Sequence, residues 1–65
     1  MSNGSLRDQI KVGSRVSIVQ KQDQRSGKLT VGLISRILTN ASFHPHGIKV
    51  ELDKGQIGRV KHIHD

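Results

Sequence analysis

The residues with the clearest chemical potential lie in one polar stretch, from Lys21 to Thr30, between two apolar segments. The stretch holds three cations spaced three or four residues apart, three neutral polar side chains among them, and a glycine: Lys21, Arg25, Lys28, Gln22, Gln24, Ser26 and Gly27. Such a segment cannot bury its own backbone, so we expect an exposed loop between two strands. Cations spread along a loop can contact successive phosphates, and a glycine lets backbone amides approach an anion.

The net charge of +6 is distributed unevenly along the chain. Residues 1–36 hold 7 Lys and Arg against 2 Asp and Glu, whereas residues 37–65 hold 4 against 3. A basic surface of this kind attracts nucleic acid by long-range electrostatics. Arg15, Arg36 and Arg59 lie outside the loop, and they would extend the site into a groove if they share its face.

Two pairs of histidines, His44 with His46 and His62 with His64, are each separated by one residue. In an extended chain, alternate residues face the same way, so each pair can present two imidazoles to one metal ion. The chain has no cysteine and no carboxylate at ligand spacing, and we therefore predict no metal site. We expect His44 and His46 to shape a turn or to contact a phosphate, and the terminal pair to be solvated.

Signatures of catalysis are weak in this sequence. Its serines have no evident partnership with a histidine and an acid, and the dipeptide Gly27-Lys28 is only a fragment of a phosphate-binding loop. A barrel of 65 residues also has little room for an enclosed pocket. We predict a protein that is not an enzyme, with no cofactor and no small-molecule substrate.

Size and composition exclude further classes of protein. With 65 residues and no cysteine, the chain is one domain near the lower limit for a hydrophobic core, without disulfides or thiolate zinc sites. It has no apolar run of the ~20 residues that cross a bilayer, no amphipathic helix with apolar anchors, and no features of a secretory signal. We expect a soluble cytoplasmic protein without a membrane partner.

The basic loop needs a strand on each side to keep it exposed to solvent. Residues 15–20 alternate apolar and polar side chains, which is the period of a half-buried strand. Residues 30–39 are rich in β-branched side chains and contain Gly32, which predicts a strand with a bulge or a sharp coil. A helix over residues 31–39 is the alternative, and the glycine and the β-branched content disfavour it.

The sequence pattern in the second half of the chain predicts a β-hairpin. Residues 48–52 have the cleanest period-two pattern, and residues 56–60 return as their partner after a three-residue loop. The loop ends in Gly55, which suits the left-handed position with its positive φ. Before them lies a loop over residues 40–47, in which Gly47 can supply a positive φ just ahead of the third strand.

The two ends of the chain are expected to cover the core. Residues 6–11 predict a short helical turn that lays Leu6 and Ile10 over one end of it. Residues 61–65 predict either a terminal turn or a short closing strand, with Ile63 packed inward.

These elements predict an all-β fold, a small SH3-like barrel of four to five antiparallel strands. Curling into a partly open barrel protects the edges of so small a sheet. We expect residues 1–9 to be a flexible N-terminal segment and residues 10–65 to form the single barrel domain. The predicted core consists of thirteen apolar residues: Val12, Val16, Ile18, Val31, Leu33, Ile34, Ile37, Ile48, Val50, Leu52, Ile57, Val60 and Ile63.

Three runs of the sequence resemble the YwbE family of small bacterial proteins. They are residues 12–30, which contain Gln-Arg-Ser-Gly-Lys, residues 44–50, which contain His-Pro-His-Gly, and residues 55–60, and together they cover most of residues 10–63. The general look of this family is similar to small SH3-like barrels of the KOW-like type, which often bind RNA or ribosomal components. The resemblance implies no catalytic residue.

The leading hypothesis from the sequence is a non-catalytic module that binds RNA or an RNA–protein assembly through the basic loop. With one Phe and no Tyr or Trp, the chain lacks the aromatic platforms on which single-strand binders commonly stack bases, which favours structured RNA. The alternative is a protein-interaction adaptor that uses an exposed strand edge or the turn from His44 to Gly47.

Overall fold

A computed structural model describes residue 5 and residues 7–64 of the chain. It contains four strands and two short 3₁₀ helices. The strands are β1 (Arg15–Gln20), β2 (Thr30–Ile37), β3 (Lys49–Leu52) and β4 (Ile57–Ile63), and the 3₁₀ helices span Arg7–Gln9 and Lys21–Asp23. All strand pairs are antiparallel, which confirms the predicted all-β, SH3-like fold class.

The four strands close into a barrel in the order β1-β2-β3-β4. β1 pairs with β2 on one side and with β4 on the other, so that Val16 lies opposite both Gly32 and Ile63. The ring is thus more complete than the partly open barrel that the sequence suggested. Residues 61–63 form the end of β4, which decides between the predicted terminal turn and closing strand in favour of the strand.

Two β-bulges explain why the alternation of apolar residues breaks down in the sequence. In β2, Ile34 pairs with Leu52 and Arg36 with Glu51, which leaves Ser35 as the extra residue. Gly32 is paired in register with Val16, so the predicted bulge lies three residues after the glycine, at Ser35. A Cβ atom on Gly32 would lie 2.8 Å from the Leu52 side chain, so the glycine serves close packing instead.

The second bulge lies in β4, where the partners of β1 skip from His62 to Val60 and leave Lys61 unpaired. Each bulge adds one residue between two inward positions, so Val60 and Ile63, like Ile34 and Ile37, contact the core although they are three residues apart. The helix considered over residues 31–39 is not formed.

The core confirms most of the predicted residues. Seven of them are buried in one cluster, and two more pack against it with partial burial: Val16, Ile18, Ile34, Ile48, Val50, Leu52 and Val60, then Ile37 and Ile63. Ile10 joins the cluster at 4% exposure, as expected for a residue covering its end. Leu6, its predicted companion, lies outside the described residues.

Four predicted core residues are instead exposed: Val12, Val31, Leu33 and Ile57. Val31 and Leu33 alternate with Gly32 and Ile34, and only one parity of a strand can face the inside of a barrel. Ile57 likewise alternates with Gly58 and Val60 in β4. Val12 precedes β1 in a turn, where no strand directs its side chain inward.

Part of the predicted flexible segment is attached to the barrel. The Arg7 backbone N–H donates to the Ser42 carbonyl (2.9 Å), and the His44 N–H donates to the Ser5 carbonyl (2.9 Å). The Arg7 side chain also donates to the Thr39 carbonyl, at 2.8 Å. These bonds support the loop that carries the first histidine pair. In the described part of the chain, no helix is long and apolar enough to cross a membrane.

Candidate functional site

The predicted basic loop connects β1 to β2 and is exposed along nearly all of its length. It begins with the 3₁₀ helix Lys21–Asp23, a feature that the sequence analysis did not anticipate. Its order comes from bonds among its own residues: the Gly27 N–H donates to the Asp23 carbonyl (2.8 Å), and the Ser26 hydroxyl donates to the same oxygen (3.3 Å). At its base, the Gln20 amide donates to the Thr30 hydroxyl (3.0 Å).

A concave surface runs beside this loop, and we call it the outer groove. Its first part, the imidazole end, has a volume of about 450 Å³ and is lined by residues of the loop, of the turn at 44–47 and of β1 and β4: Val19, Gln24, Gly27, His44, His46, Arg59 and Lys61. Val19 is only 8% exposed yet lies outside the core cluster, since the loop covers it on the outer side of the barrel. It forms the apolar floor of the groove.

The second part, the hairpin end, has a volume of about 570 Å³. It shares Val19, Gln24 and Arg59 with the imidazole end, so the two parts are adjacent on the outer face of β4. Its further lining includes two lysines and the start of β4: Lys21, Lys49, Gln56, Ile57 and Gly58.

The charges in the outer groove all have the same sign. Lys49 of β3 and Arg59 of β4 are direct cross-strand partners, and Lys61 follows two residues later on β4. Like charges directly opposite each other on a sheet are destabilising by a few tenths of a kcal/mol to about 1 kcal/mol. Of the residues that the structure describes, no Asp or Glu lines either end of the groove to offset this repulsion.

Two of these cations are held against the turn at residues 44–47. The Lys61 ammonium donates to the His46 carbonyl at 2.9 Å, and Arg59 Nη1 donates to the Gly47 carbonyl at 3.4 Å. Each group has further N–H donors that these single bonds do not use. The turn therefore places two cationic heads side by side at the rim of the groove.

Gly47 permits this arrangement for two reasons. Its φ of +102° is rarely adopted by residues with a side chain, and a Cβ atom would overlap the Val60 carbonyl oxygen of β4. The predicted positive φ at this position is confirmed. Close contact between the turn and β4 is what brings the carbonyls of residues 46 and 47 within reach of Arg59 and Lys61.

His44 is fixed in one orientation and one tautomer. Its Nδ1 accepts the His46 backbone N–H at 3.1 Å, so the neutral ring carries its proton on Nε2. Partial burial, then the positive charge of Arg59, then His46 lower the pKa of His44 below its usual 6.5. The His44 and His46 rings lie 5.8 Å apart between centroids, tilted by 51°. His44 thus brings a neutral ring with one N–H donor to the groove.

The structure brings together about half of the residues proposed from the sequence. Gln24, Gly27, His44, His46 and Arg59 share the imidazole end, and Lys21 lies at the hairpin end. The loop tip, formed by Arg25, Ser26 and Lys28, is exposed but does not line the groove.

Two arginines proposed from the sequence lie elsewhere. Arg36 forms an ion pair with Glu51, with 3.0 Å between Nη2 and Oε1. Arg15 lines a separate depression of about 330 Å³ together with Val31 and Leu33. Neither lines the outer groove.

Lys49 and Lys61 line the groove but were not proposed from the sequence. Both could have been found by the alternation of the strands, since Lys49 precedes inward Val50 and Lys61 follows inward Val60. Lys61 was missed because the predicted fourth strand ended one residue too early.

The terminal histidines differ from the prediction in one respect. Both are exposed, but His64 is tied to β1, with its Nε2 2.6 Å from the Ser17 hydroxyl oxygen and its backbone N–H bonded to the Arg15 carbonyl. Among residues 5 and 7–64, no cluster of three or more His, Cys, Asp or Glu side chains could hold a metal ion.

The fold and the groove together define a small four-stranded β-barrel protein with a cationic outer face. The chain belongs to the YwbE family: residues 3–63 match the family model described as an uncharacterized conserved protein, DUF2196. It is 54% identical to the uncharacterized protein YwbE of Bacillus subtilis (strain 168) over 61 residues, which are 94% of each chain. No solved structure matches it significantly.

Proposed function

We propose that this protein is a non-catalytic module that binds RNA, or the RNA of an RNA–protein assembly, through the outer groove and the adjacent basic loop. The observation that carries the proposal is the groove lining, which among the described residues holds four cations and no carboxylate: Lys21, Lys49, Arg59 and Lys61. A phosphate backbone is the abundant ligand that supplies several negative charges in a row.

The contacts of these cations support the proposal. Lys61 and Arg59 each use one donor on a backbone carbonyl, which orients the group without neutralising its charge. The unfavourable pairing of Lys49 with Arg59 across β3 and β4 is relieved when a phosphate lies between them. Binding of an anion would therefore relieve a repulsion between charges of the unbound protein, and this relief would add to the free energy of binding.

The basic loop contributes in two ways. Lys21 and Gln24 line the groove, whereas Arg25 and Lys28 stand on the exposed tip beside it. Exposed charges near a site chiefly raise the association rate through long-range attraction. We assign the tip to capture of the RNA and the groove to its retention.

A protein-interaction adaptor is the second candidate, because Phe43, next to the turn at 44–47, is 53% exposed. The version that uses a strand edge has less support, since each described strand is paired on both sides in the closed ring. An adaptor held by apolar contacts responds little to salt, which distinguishes it from an RNA-binding module.

The test is the salt dependence of binding to a labelled RNA hairpin, followed by fluorescence anisotropy. If about 3–5 phosphates are neutralised, the slope of log K against log salt is about −2 to −5. A flat dependence, or no binding at low salt, would refute the proposal.

A pair of charge-matched variants then locates the contact. Arg59→Gln with Lys61→Gln removes two charges from the groove, and Lys11→Gln with Lys54→Gln removes two exposed charges that do not line it. We expect the first variant to lose at least about tenfold in affinity and to reduce the slope by about 1–2. The second should change affinity by less than about threefold. Equal losses would show that only net charge matters.

A further inference from the structure

The outer groove is bounded on both sides. At the imidazole end, Gln24 and Gly27 of the basic loop face His44 and His46 of the turn across the floor at Val19. Volumes of about 450 and 570 Å³ fall within the range of pockets that hold a single small ligand. A concave track of this size suits one extended chain of nucleotides, with a few units lying in it at a time.

The imidazole end also supplies the kind of surface that unpaired bases use. Bases of single-stranded RNA stack on aromatic rings, including that of histidine, and hydrogen-bond at their edges. The chain has no Tyr or Trp, and Phe43 is not part of the lining. His44 and His46 are the groove's aromatic rings, and the Nε2–H of His44 adds a hydrogen-bond donor.

The cations lie in a line beside these rings. Arg59 and Lys61 are two residues apart on β4, with Lys61 at the bulge, so their Cα atoms are separated by at most about 7 Å. Their heads are attached to consecutive carbonyls, of Gly47 and of His46. A strand of RNA lying along β4 can thus place neighbouring phosphates on the two cations and turn a base toward the histidines.

From this geometry we infer that the outer groove binds single-stranded RNA, with its backbone along Arg59 and Lys61 and one base against His44 and His46. The inference rests on the proposed RNA-binding function and narrows it to one form of RNA. A continuous duplex does not fit this arrangement, because its bases are paired inside and cannot reach the imidazoles. The shortage of Phe, Tyr and Trp favoured structured RNA as the ligand, whereas the inference from the histidine rings names an unpaired segment.

The first experiment compares two RNA probes at one moderate salt concentration. One is a labelled, unstructured RNA of about 12 nucleotides, within the site sizes of single-strand binders, and the other is the same strand annealed to its complement. We expect the single strand to bind at least about tenfold more tightly. Equal or tighter binding of the duplex overturns the inference while the proposed function stands. If neither probe binds, the proposed function itself fails.

The second experiment tests the histidine with a matched control. His44→Ala removes the ring from the groove, and His62→Ala removes an exposed histidine that does not line it. Loss of one base stack, worth about 1–3 kcal/mol, corresponds to at least about a fivefold loss of affinity for the single strand. We expect that loss for His44→Ala, with the residual duplex binding unchanged, and no loss for His62→Ala.

A conservative variant separates stacking from a structural effect on the turn. His44→Phe keeps an aromatic ring but removes the Nδ1 acceptor of the His46 N–H. If a base stacks on residue 44, this variant recovers most of the single-strand affinity that His44→Ala loses. If His44→Phe and His44→Ala are equally impaired, the ring does not stack on a base, and the assignment of a base to the imidazole end is overturned.

Discussion

The two loops that border the outer groove are built in opposite ways. The loop at residues 21–29 is rich in cations and is exposed, and its described bonds join mainly its own residues. The turn at residues 44–47 has no lysine or arginine, but it packs on β4 through Gly47 and accepts bonds from Arg59 and Lys61. The cation-rich loop is where the electrostatic field originates. The cations that are held in fixed positions, Arg59 and Lys61, depend instead on a turn that has no lysine or arginine of its own.

This difference concerns how a charge is held in place. An exposed lysine on a loop must lose side-chain rotamer freedom, at a cost of up to about 2 kcal/mol, before it can hold one phosphate. Arg59 and Lys61 start from β4 rather than from a loop, and each is already bonded to a carbonyl. Part of that entropic cost is therefore met during folding, and we expect binding to depend more on the strand than on the loop.

The largest effect is expected from Gly47→Ala, which disrupts the close contact between the turn and β4. The Cβ atom meets the Val60 carbonyl oxygen in a left-handed backbone conformation, so we expect a loss of about 4 kcal/mol or more in the free energy of unfolding. Gly55→Ala is the control, because φ is +88° there but nothing lies within 4 Å of the added atom. It should cost about 1–2 kcal/mol. Urea denaturation of both variants measures the difference, and similar losses would contradict the role assigned to the close contact.

A second prediction compares the contribution of the loop tip with that of the groove directly. Arg25→Gln with Lys28→Gln removes two charges, as many as the variant at Arg59 and Lys61 does. Because the tip does not line the groove, we expect only about a threefold loss of RNA affinity, carried mainly by the association rate. Stopped-flow kinetics resolves the two rates. A larger loss of RNA affinity from the tip variant than from the groove variant, or an effect confined to the dissociation rate, would contradict the roles assigned to the tip and the groove.

A third prediction concerns the response of the turn to pH. The pKa of His44 is lowered in the folded protein, so between that value and 6.5 the unfolded chain binds more protons than the folded one. The contribution of His44 to stability is complete above pH 6.5 and is lost as the pH falls through the folded pKa. An NMR titration of the His44 ring should show a midpoint below 6.5, and Arg59→Gln should raise it. A midpoint at or above 6.5 would contradict the structure of the turn.

The smallest effect is expected at the ion pair between β2 and β3, which does not line the groove. Arg36 is paired with Glu51 on the surface, where the arginine side chain is 69% exposed, and such pairs contribute about 0–1 kcal/mol. Arg36→Gln should therefore leave the unfolding midpoint in urea nearly unchanged. It should also leave RNA affinity nearly unchanged, in contrast to Lys61→Gln, which removes the same charge from the groove. Equal losses of affinity would mean that the binding surface extends beyond the outer groove.

Local chemistry accounts for the part of the fold that the sequence could predict. The polarity of residues 21–30 was enough to predict an exposed connection, and the alternation of residues 48–52 was enough to predict a strand. The glycines at positions 47 and 55 correctly indicated positive φ angles. Each of these features depends on residues that are close together in the chain.

The errors arise where pairing between distant strands decides the outcome. Val31 and Leu33 have the apolar character of core residues, but the register with β1 and β3 turns Gly32 and Ile34 inward. The bulge at Lys61 depends on how β4 meets β1 and has no signal in its own residues. For the same reason, the groove could not be located from the sequence, because its floor at Val19 and three of its four cations are far apart in the chain.

The closure of the barrel between β1 and β4 has a consequence for folding. Val19 and Arg59 are neighbours only because these two strands pair, so the groove exists only in molecules whose ring is complete. If RNA binds in the groove as proposed, it binds the native state and not the unfolded chain, and it raises the melting temperature as its own concentration rises. Thermal stability would then be a direct readout of how much of the groove is occupied.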